Sequence, residues 1–139
     1  MADKLVFSKV REALALTETK AIASGSADLQ PRLAAFFNGL GVPVLEGYGL
    51  TETSPVITVN TVRQPKMLRI GYVGKVIREA KVKIAEDGEI LAAGPNIMLG
   101  YYKDAEKTKE VMTDEWFHTG DIGEVEDGFL KITDRKKEM

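Results

Sequence analysis

The sequence predicts an α/β fold: a short βα layer followed by an antiparallel, barrel-like β portion. Three observations carry this reading. The first fifty residues alternate helix and strand patterns, two hairpin patterns turn on Asp87-Gly88 and Asp127-Gly128, and the character of the chain changes after Asn60. The α/β part spans 1–60 and the mostly antiparallel part 61–139, together one incomplete domain.

Val6, Val10, Ala13 and Leu14, with Phe7 beside them, recur at helical spacing after Asp3 and predict an amphipathic helix over about 4–15. A strand from Lys20 to Ser24 follows. The next helix has Asp28 as its cap and Pro31 in its first turn, and Gly39 and Gly41 end it. Leu33, Phe36, Phe37 and Leu40 fall at i, i+3, i+4 and i+7, which predicts one buried face. Val42 to Glu46 reads as a second strand, and a ligand loop is expected at its end. Farther on, Lys81 to Ala93 and Glu124 to Thr133 read as hairpins. Between them lie a polar helix over Asp104 to Met112, capped by Asp104, and a strand over Trp116 to Asp121.

Composition limits the function classes. The chain has 139 residues, 44% hydrophobic and 29% charged, and a formal net charge of -2 with its basic residues dispersed. Such a balance gives no electrostatic footprint for nucleic acid or anionic membrane. No apolar run approaches the ~18 residues a membrane span needs. The absence of cysteine excludes disulfides and thiolate chemistry, and the single histidine, His118, excludes a histidine-based metal site. A cytoplasmic location is expected.

Gly47-Tyr48-Gly49-Leu50-Thr51-Glu52-Thr53 leaves a predicted strand with two flexible glycines, an aromatic face, two hydroxyls and a carboxylate. These groups suit a nucleotide: main chain close to the ligand at Gly47 and Gly49, stacking by Tyr48, a phosphate contact from Thr51, and magnesium on Glu52. Composition alone favours the plainer reading, a polar turn leaving a strand with Tyr48 at its rim and Glu52 solvated. Trp116-Phe117-His118-Thr119-Gly120-Asp121 ends on a carboxylate able to accept two ribose hydroxyls, or else is a strand ending in a turn. His118 reads as structural, since no second histidine or cysteine exists to pair with it. Ser24-Gly25-Ser26-Ala27 is a strand-to-helix turn that can also receive an anion, and Asp134 to Glu138 is a charge run. The chain closes on Ile132 to Met139 without turn or cap, so it reads as cut.

In order and content these segments resemble the AMP-forming acyl-CoA synthetases of the adenylate-forming ligase superfamily. The resemblance covers nearly the whole chain. It is carried by Ser24 to Ala27, GYGLTETSP at Gly47 to Pro55, Val73-Gly74-Lys75, GEILAAGPNIMLGYYKD at Gly88 to Asp104, WFHTGDIG at Trp116 to Gly123, and ITDRKKEM at the end. Within the superfamily, GYGLTETSP and TDRKKEM are most similar to long-chain fatty acid CoA ligases of the bacterial type. The alternatives are medium-chain or aryl-CoA ligases, peptide synthetase adenylation domains, and a non-catalytic nucleotide-binding or interaction module.

The resemblance implies a fragment from the C-terminal part of the large N-terminal domain. It implies ATP and AMP, Mg2+, a fatty acid and coenzyme A as the small molecules of the full-length enzyme, which is expected to be cytoplasmic and peripheral to the membrane. Tyr48 would stack on adenine beside Gly25 and Ser26, Thr51 would bond the α-phosphate and Glu52 would hold the metal. Asp121 would take the ribose hydroxyls with Arg135 reinforcing it, and Lys137 would be the interdomain hinge. The Ser/Thr/Gly-rich phosphate loop and the C-terminal catalytic lysine of the family have no counterpart in this sequence. The fragment alone is therefore expected to be inactive, to lack partner segments on both sides, and to self-associate through exposed apolar surface.

Overall fold

The structure, a computed structural model, describes residues 6–27, 29–63 and 67–136. The predicted cap Asp28 lies outside the described residues, as do the start of the first helix and the hinge Lys137.

Helix α1 is short, Ser8–Ala13, and ends where Ala15 takes a left-handed backbone with φ 55°. Its predicted apolar face is only partly covered: Phe7 and Val10 are half-buried, whereas Val6 and Leu14 are exposed. Arg11 anchors the helix instead, donating from Nη1 to the Leu40 carbonyl at 2.6 Å. Strand β1 (Ile22–Ser24) leads to α2 (Pro31–Gly39), which starts at Pro31 as predicted. Proline tolerates this position because the first amides of a helix have no intrahelical partner. The buried face of α2 is narrower than its spacing suggests: Ala34 and Leu40 are buried, whereas Leu33 and Phe36 are about half exposed. Phe36 and Phe37 meet edge to face with centroids 5.3 Å apart, so part of the apolar stripe packs on itself.

Strand β2 (Val44–Tyr48) pairs in parallel with β1, Ile22 opposite Val44 and Ser24 opposite Glu46. It runs two residues past the predicted end, so Gly47 and Tyr48 are strand residues. A 3-10 turn over Thr51–Thr53 follows. Strand β3 (Thr58–Val59) returns antiparallel to β2, and β4 (Lys75–Val76) adds on its far side, giving the order β1-β2-β3-β4. The first sheet thus recruits a strand from beyond residue 60.

The second sheet is antiparallel throughout, β5 (Lys81–Ile84), β6 (Glu89–Ala93), β8 (Trp116–Glu126) and β7 (Met112–Thr113) in that order, with β9 (Phe129–Arg135) on the rest of β8. Helix α3 (Ala105–Val111) precedes β7, and Asp104 caps it by accepting from the Lys107 amide at 3.0 Å. Both predicted hairpin turns form. Asp127 and Gly128 have φ 52° and 78°, the left-handed pair that a tight hairpin between twisted strands requires. The predicted strand over Trp116 to Asp121 and the first arm of the predicted second hairpin are one continuous strand of 11 residues.

The two sheets are stitched by Val73 donating to the Leu130 carbonyl and Leu130 donating to the Gly74 carbonyl, both at 2.9 Å. The core lies at this junction: Tyr48 of β2 and Ile57, just before β3, meet Ile90, Ala92 and Leu130 from the second sheet. All five residues of β6 are buried, making it the central strand of the barrel-like portion.

Candidate nucleotide site

A cavity of about 480 Å³ opens where the end of β2 faces the end of β9. Its lining includes Gly25, Ser26, Gly47, Tyr48, Gly49, Asp121 and Arg135. Seven residues chosen from separate motifs thus meet at one place.

Sheet pairing explains the convergence. Along β8 and β9, Asp121 stands directly opposite Arg135. Arg135 Nε donates to Asp121 Oδ1 at 3.3 Å, and Tyr48 Oη donates to Asp121 Oδ2 at 2.7 Å. Asp121 is buried and its amide is held by Thr119 Oγ1 at 3.2 Å. A carboxylate has about four lone-pair positions, so Asp121 can still accept from a ligand after these two bonds. Burial pushes the Tyr48 hydroxyl pKa well above the usual range, and the adjacent Asp121 carboxylate adds to the shift. Tyr48 therefore remains a proton donor, which fixes the direction of that bond.

The glycine motif does more for the chain than for a ligand. A Cβ on Gly49 would sit 1.7 Å from the Pro55 carbonyl oxygen, so the loop 49–55 closes on itself only with glycine there. Thr53, fully buried, accepts from the Leu50 amide at 2.9 Å and donates to the Pro55 carbonyl at 2.6 Å. Asn96 Nδ2 donates to the Thr53 and Val56 carbonyls at 3.1 and 3.0 Å, tying this loop to the one that follows β6. Ser26 sits in left-handed backbone, φ 68°.

Thr51 and Glu52 do not line this cavity. Thr51 is exposed on the 3-10 turn. Glu52 lines a neighbouring cavity of about 580 Å³ that shares Leu50 and Arg135 with the first and also includes Tyr101, Glu89, His118, Gly120 and Lys136. Tyr101 Oη donates to Glu52 Oε1 at 2.8 Å, and Met98 N donates to the Glu52 carbonyl at 2.8 Å, so backbone and side chain are both held. Among the described residues no group of three or more His, Cys, Asp or Glu side chains is placed to hold a metal. Glu52 thus fits a magnesium ion only as one oxygen donor, with phosphates and water completing the shell, the usual arrangement for this ion.

The second cavity also holds groups that sequence reasoning did not single out. Glu89 is buried, and its carboxylate accepts from the Gly120 amide at 2.9 Å and from Lys136 Nζ at 2.9 Å, while His118 Nδ1 lies 3.0 Å away. Lys136 also reaches Asp87 at 2.7 Å. Burial alone would raise the Glu89 pKa, but the bonds from His118, Lys136 and Gly120 outweigh it and hold the carboxyl below its ordinary value. Its partners Asp87 and Glu89 push Lys136 up to about 12. The signal in the sequence was a charge heading an entirely apolar strand, Glu89-Ile90-Leu91-Ala92-Ala93.

The family profile described as AMP-binding enzyme matches residues 1–102, and the chain belongs to this family. The long-chain fatty-acid–CoA ligase FadD15 of Mycobacterium bovis is 46% identical over 138 residues, covering 99% of this chain and 22% of its own length. The fatty acyl-CoA synthetase A of Dictyostelium discoideum is 40% identical over 154 residues, with 99% and 22% covered. The crystal structure of the anthranilate CoA ligase AuaEII in complex with anthranoyl-AMP superposes with a TM-score of 0.80 at 26% identity, over 89% of this chain and 26% of that one. The chain spans about a quarter of the length of these three proteins. The predicted fold class, α/β with an antiparallel barrel-like portion from the large domain of an adenylate-forming ligase, agrees with this superposition.

Proposed function

We propose that this chain is the adenosine-holding segment of an AMP-forming fatty acid CoA ligase. The observation that carries the reading is the convergence of Gly25, Ser26, Tyr48, Asp121 and Arg135 on one cavity, with Asp121 bonded to both Tyr48 and Arg135. Adenine lies along the Tyr48 wall beside Gly25 and Ser26, and the ribose hydroxyls donate to Asp121. Arg135 steadies that carboxylate. The phosphates then run past Leu50 towards Thr51 and Glu52. Magnesium held there would offset phosphate charge.

In a ligase carrying this segment, a fatty acid carboxylate oxygen attacks the α-phosphorus of ATP, the bond to the bridging oxygen breaks, and pyrophosphate leaves. The acyl group of the resulting acyl-adenylate then passes to the sulfur of coenzyme A with release of AMP. The names of the relatives, fatty-acid–CoA ligase and fatty acyl-CoA synthetase, support a long-chain acid over an aryl one. The 139-residue chain itself performs neither step in this reading, because the phosphate loop and catalytic lysine are not in its sequence. Half-exposed Leu33 and Phe36 and fully exposed Leu99 support self-association of the isolated chain, to be checked by sedimentation over a range of concentrations.

The direct test is calorimetry of the chain with AMP. Wild type is expected to bind, and Asp121→Asn to weaken binding by about tenfold or more, the size expected for hydrogen bonds to a charged acceptor. Equal affinity in both proteins would remove Asp121 from the site, and no binding by wild type would overturn the reading.

A further inference from the structure

The ladder between β6 and β8 is irregular where it passes Ile90. Glu89 pairs with Ile122 and Leu91 with His118, so β8 takes four steps where β6 takes two. Three residues, Thr119-Gly120-Asp121, thus stand against Ile90 alone, a surplus of two, and bow away from β6 with Gly120 at φ 75°. A bulge of this kind leaves backbone groups without ladder partners. Side chains replace them: Thr119 Oγ1 donates to the Ile90 carbonyl at 2.8 Å, and Glu89 Oε1 accepts from the Gly120 amide at 2.9 Å. The other Glu89 oxygen takes Lys136 Nζ at 2.9 Å.

We propose that Glu89 is a positioning residue for the ribose site, fastening the bulge that projects Asp121 to the segment that carries Arg135. One buried carboxylate grips the amide immediately before Asp121 and the ammonium immediately after Arg135, so the two partners of the ion pair are set by a common anchor. Bonds to an ionised acceptor are short and about twice as strong as neutral ones, which suits a group holding a bulge whose amide has no ladder partner. The inference rests on the proposed function, in which Asp121 receives the ribose.

The experiment compares AMP with 2′-deoxy-AMP by calorimetry, using wild type, Glu89→Gln and Lys136→Met. Wild type is expected to prefer AMP by about tenfold. In Glu89→Gln that preference falls below about threefold while affinity for 2′-deoxy-AMP changes less than about twofold. Lys136→Met, a substitution at a side chain 43% exposed, should reduce the preference in the same sense by a smaller factor, and serves if Glu89→Gln does not fold. Glu89→Asp keeps the charge and is expected to restore part of the preference. Equal loss of both nucleotides, or an unchanged preference in the variants, would show Glu89 to be structural only and overturn the inference. A wild type that binds AMP without preferring it would instead overturn the assignment of Asp121 to ribose.

Discussion

The two adjoining cavities share Leu50 and Arg135 but are held by different physics. The first is shaped by close backbone approach and by a tyrosine set in the apolar core, with Asp121 as its central charge. The second is framed by the opposite charges of Glu89 and Lys136, with His118 beside them and Asp87 backing Lys136 from outside the cavity. Shape-held walls fail when a methyl group is added. Charge-held walls fail when a proton is added.

The largest effect expected is on shape. Gly49→Ala places a carbon 1.7 Å from the Pro55 carbonyl oxygen, where backbone rather than a flexible side chain must move. It is expected to cost more than about 4 kcal/mol, read as loss of a cooperative unfolding transition. A folded Gly49→Ala protein would break the contrast between the cavities. Next is Thr53→Val, which removes the hydroxyl joining Leu50 to Pro55 and leaves buried backbone groups unsatisfied, for about 1–3 kcal/mol in urea unfolding.

Acid should act on the other cavity. Asp87 and Glu89 have lowered folded pKa values, so their contribution is fully present above the ordinary carboxylate values of about 4 and is lost as pH falls through the folded values. Melting temperature measured between pH 6 and pH 3 is expected to fall more steeply for wild type than for Glu89→Gln. Parallel curves would mean that the network contributes no stability. The smallest effect belongs to Ser26→Gly, which relieves the left-handed backbone at φ 68° and is expected to gain about 0.5–1 kcal/mol. Its measured unfolding midpoint would show how much of the first cavity's wall is strained.

Local chemistry made much of the fold legible. Asp127-Gly128 and the Asp104 cap act within a few residues, and each formed as its residue types dictate. The parallel pairing of β1 with β2 followed from helix-strand alternation. What escaped depended on distant partners. Leu33 and Phe36 have the spacing of a buried face, but spacing does not say whether another element arrives to cover it. Two-residue strands such as β3 and β4 have no period to detect. The residue types of the candidate site were visible, whereas the division of Glu52 and Asp121 between two cavities was not, since it depends on a bulge set by long-range register. The partners of Tyr101 and Glu89, residues 49 and 31 positions away, were out of reach, although a charge heading an apolar strand marked Glu89 itself.

Strand β9 contains a second register shift. Ile132 faces Gly123 and Asp134 faces Ile122, so Thr133 is an unpaired step before Arg135 comes opposite Asp121. Successive strand residues point to opposite sides, and the extra step resets which side the last residues serve. Before it the strand buries Phe129 and Leu130, and from Ile132 to Arg135 it lines the cavity. Chain length at this point is thus as informative as side-chain identity. Excising Thr133 would remove one wall residue and, with the bulge kept, bring Arg135 opposite Ile122 instead of Asp121, a lesion of phase added to one of chemistry.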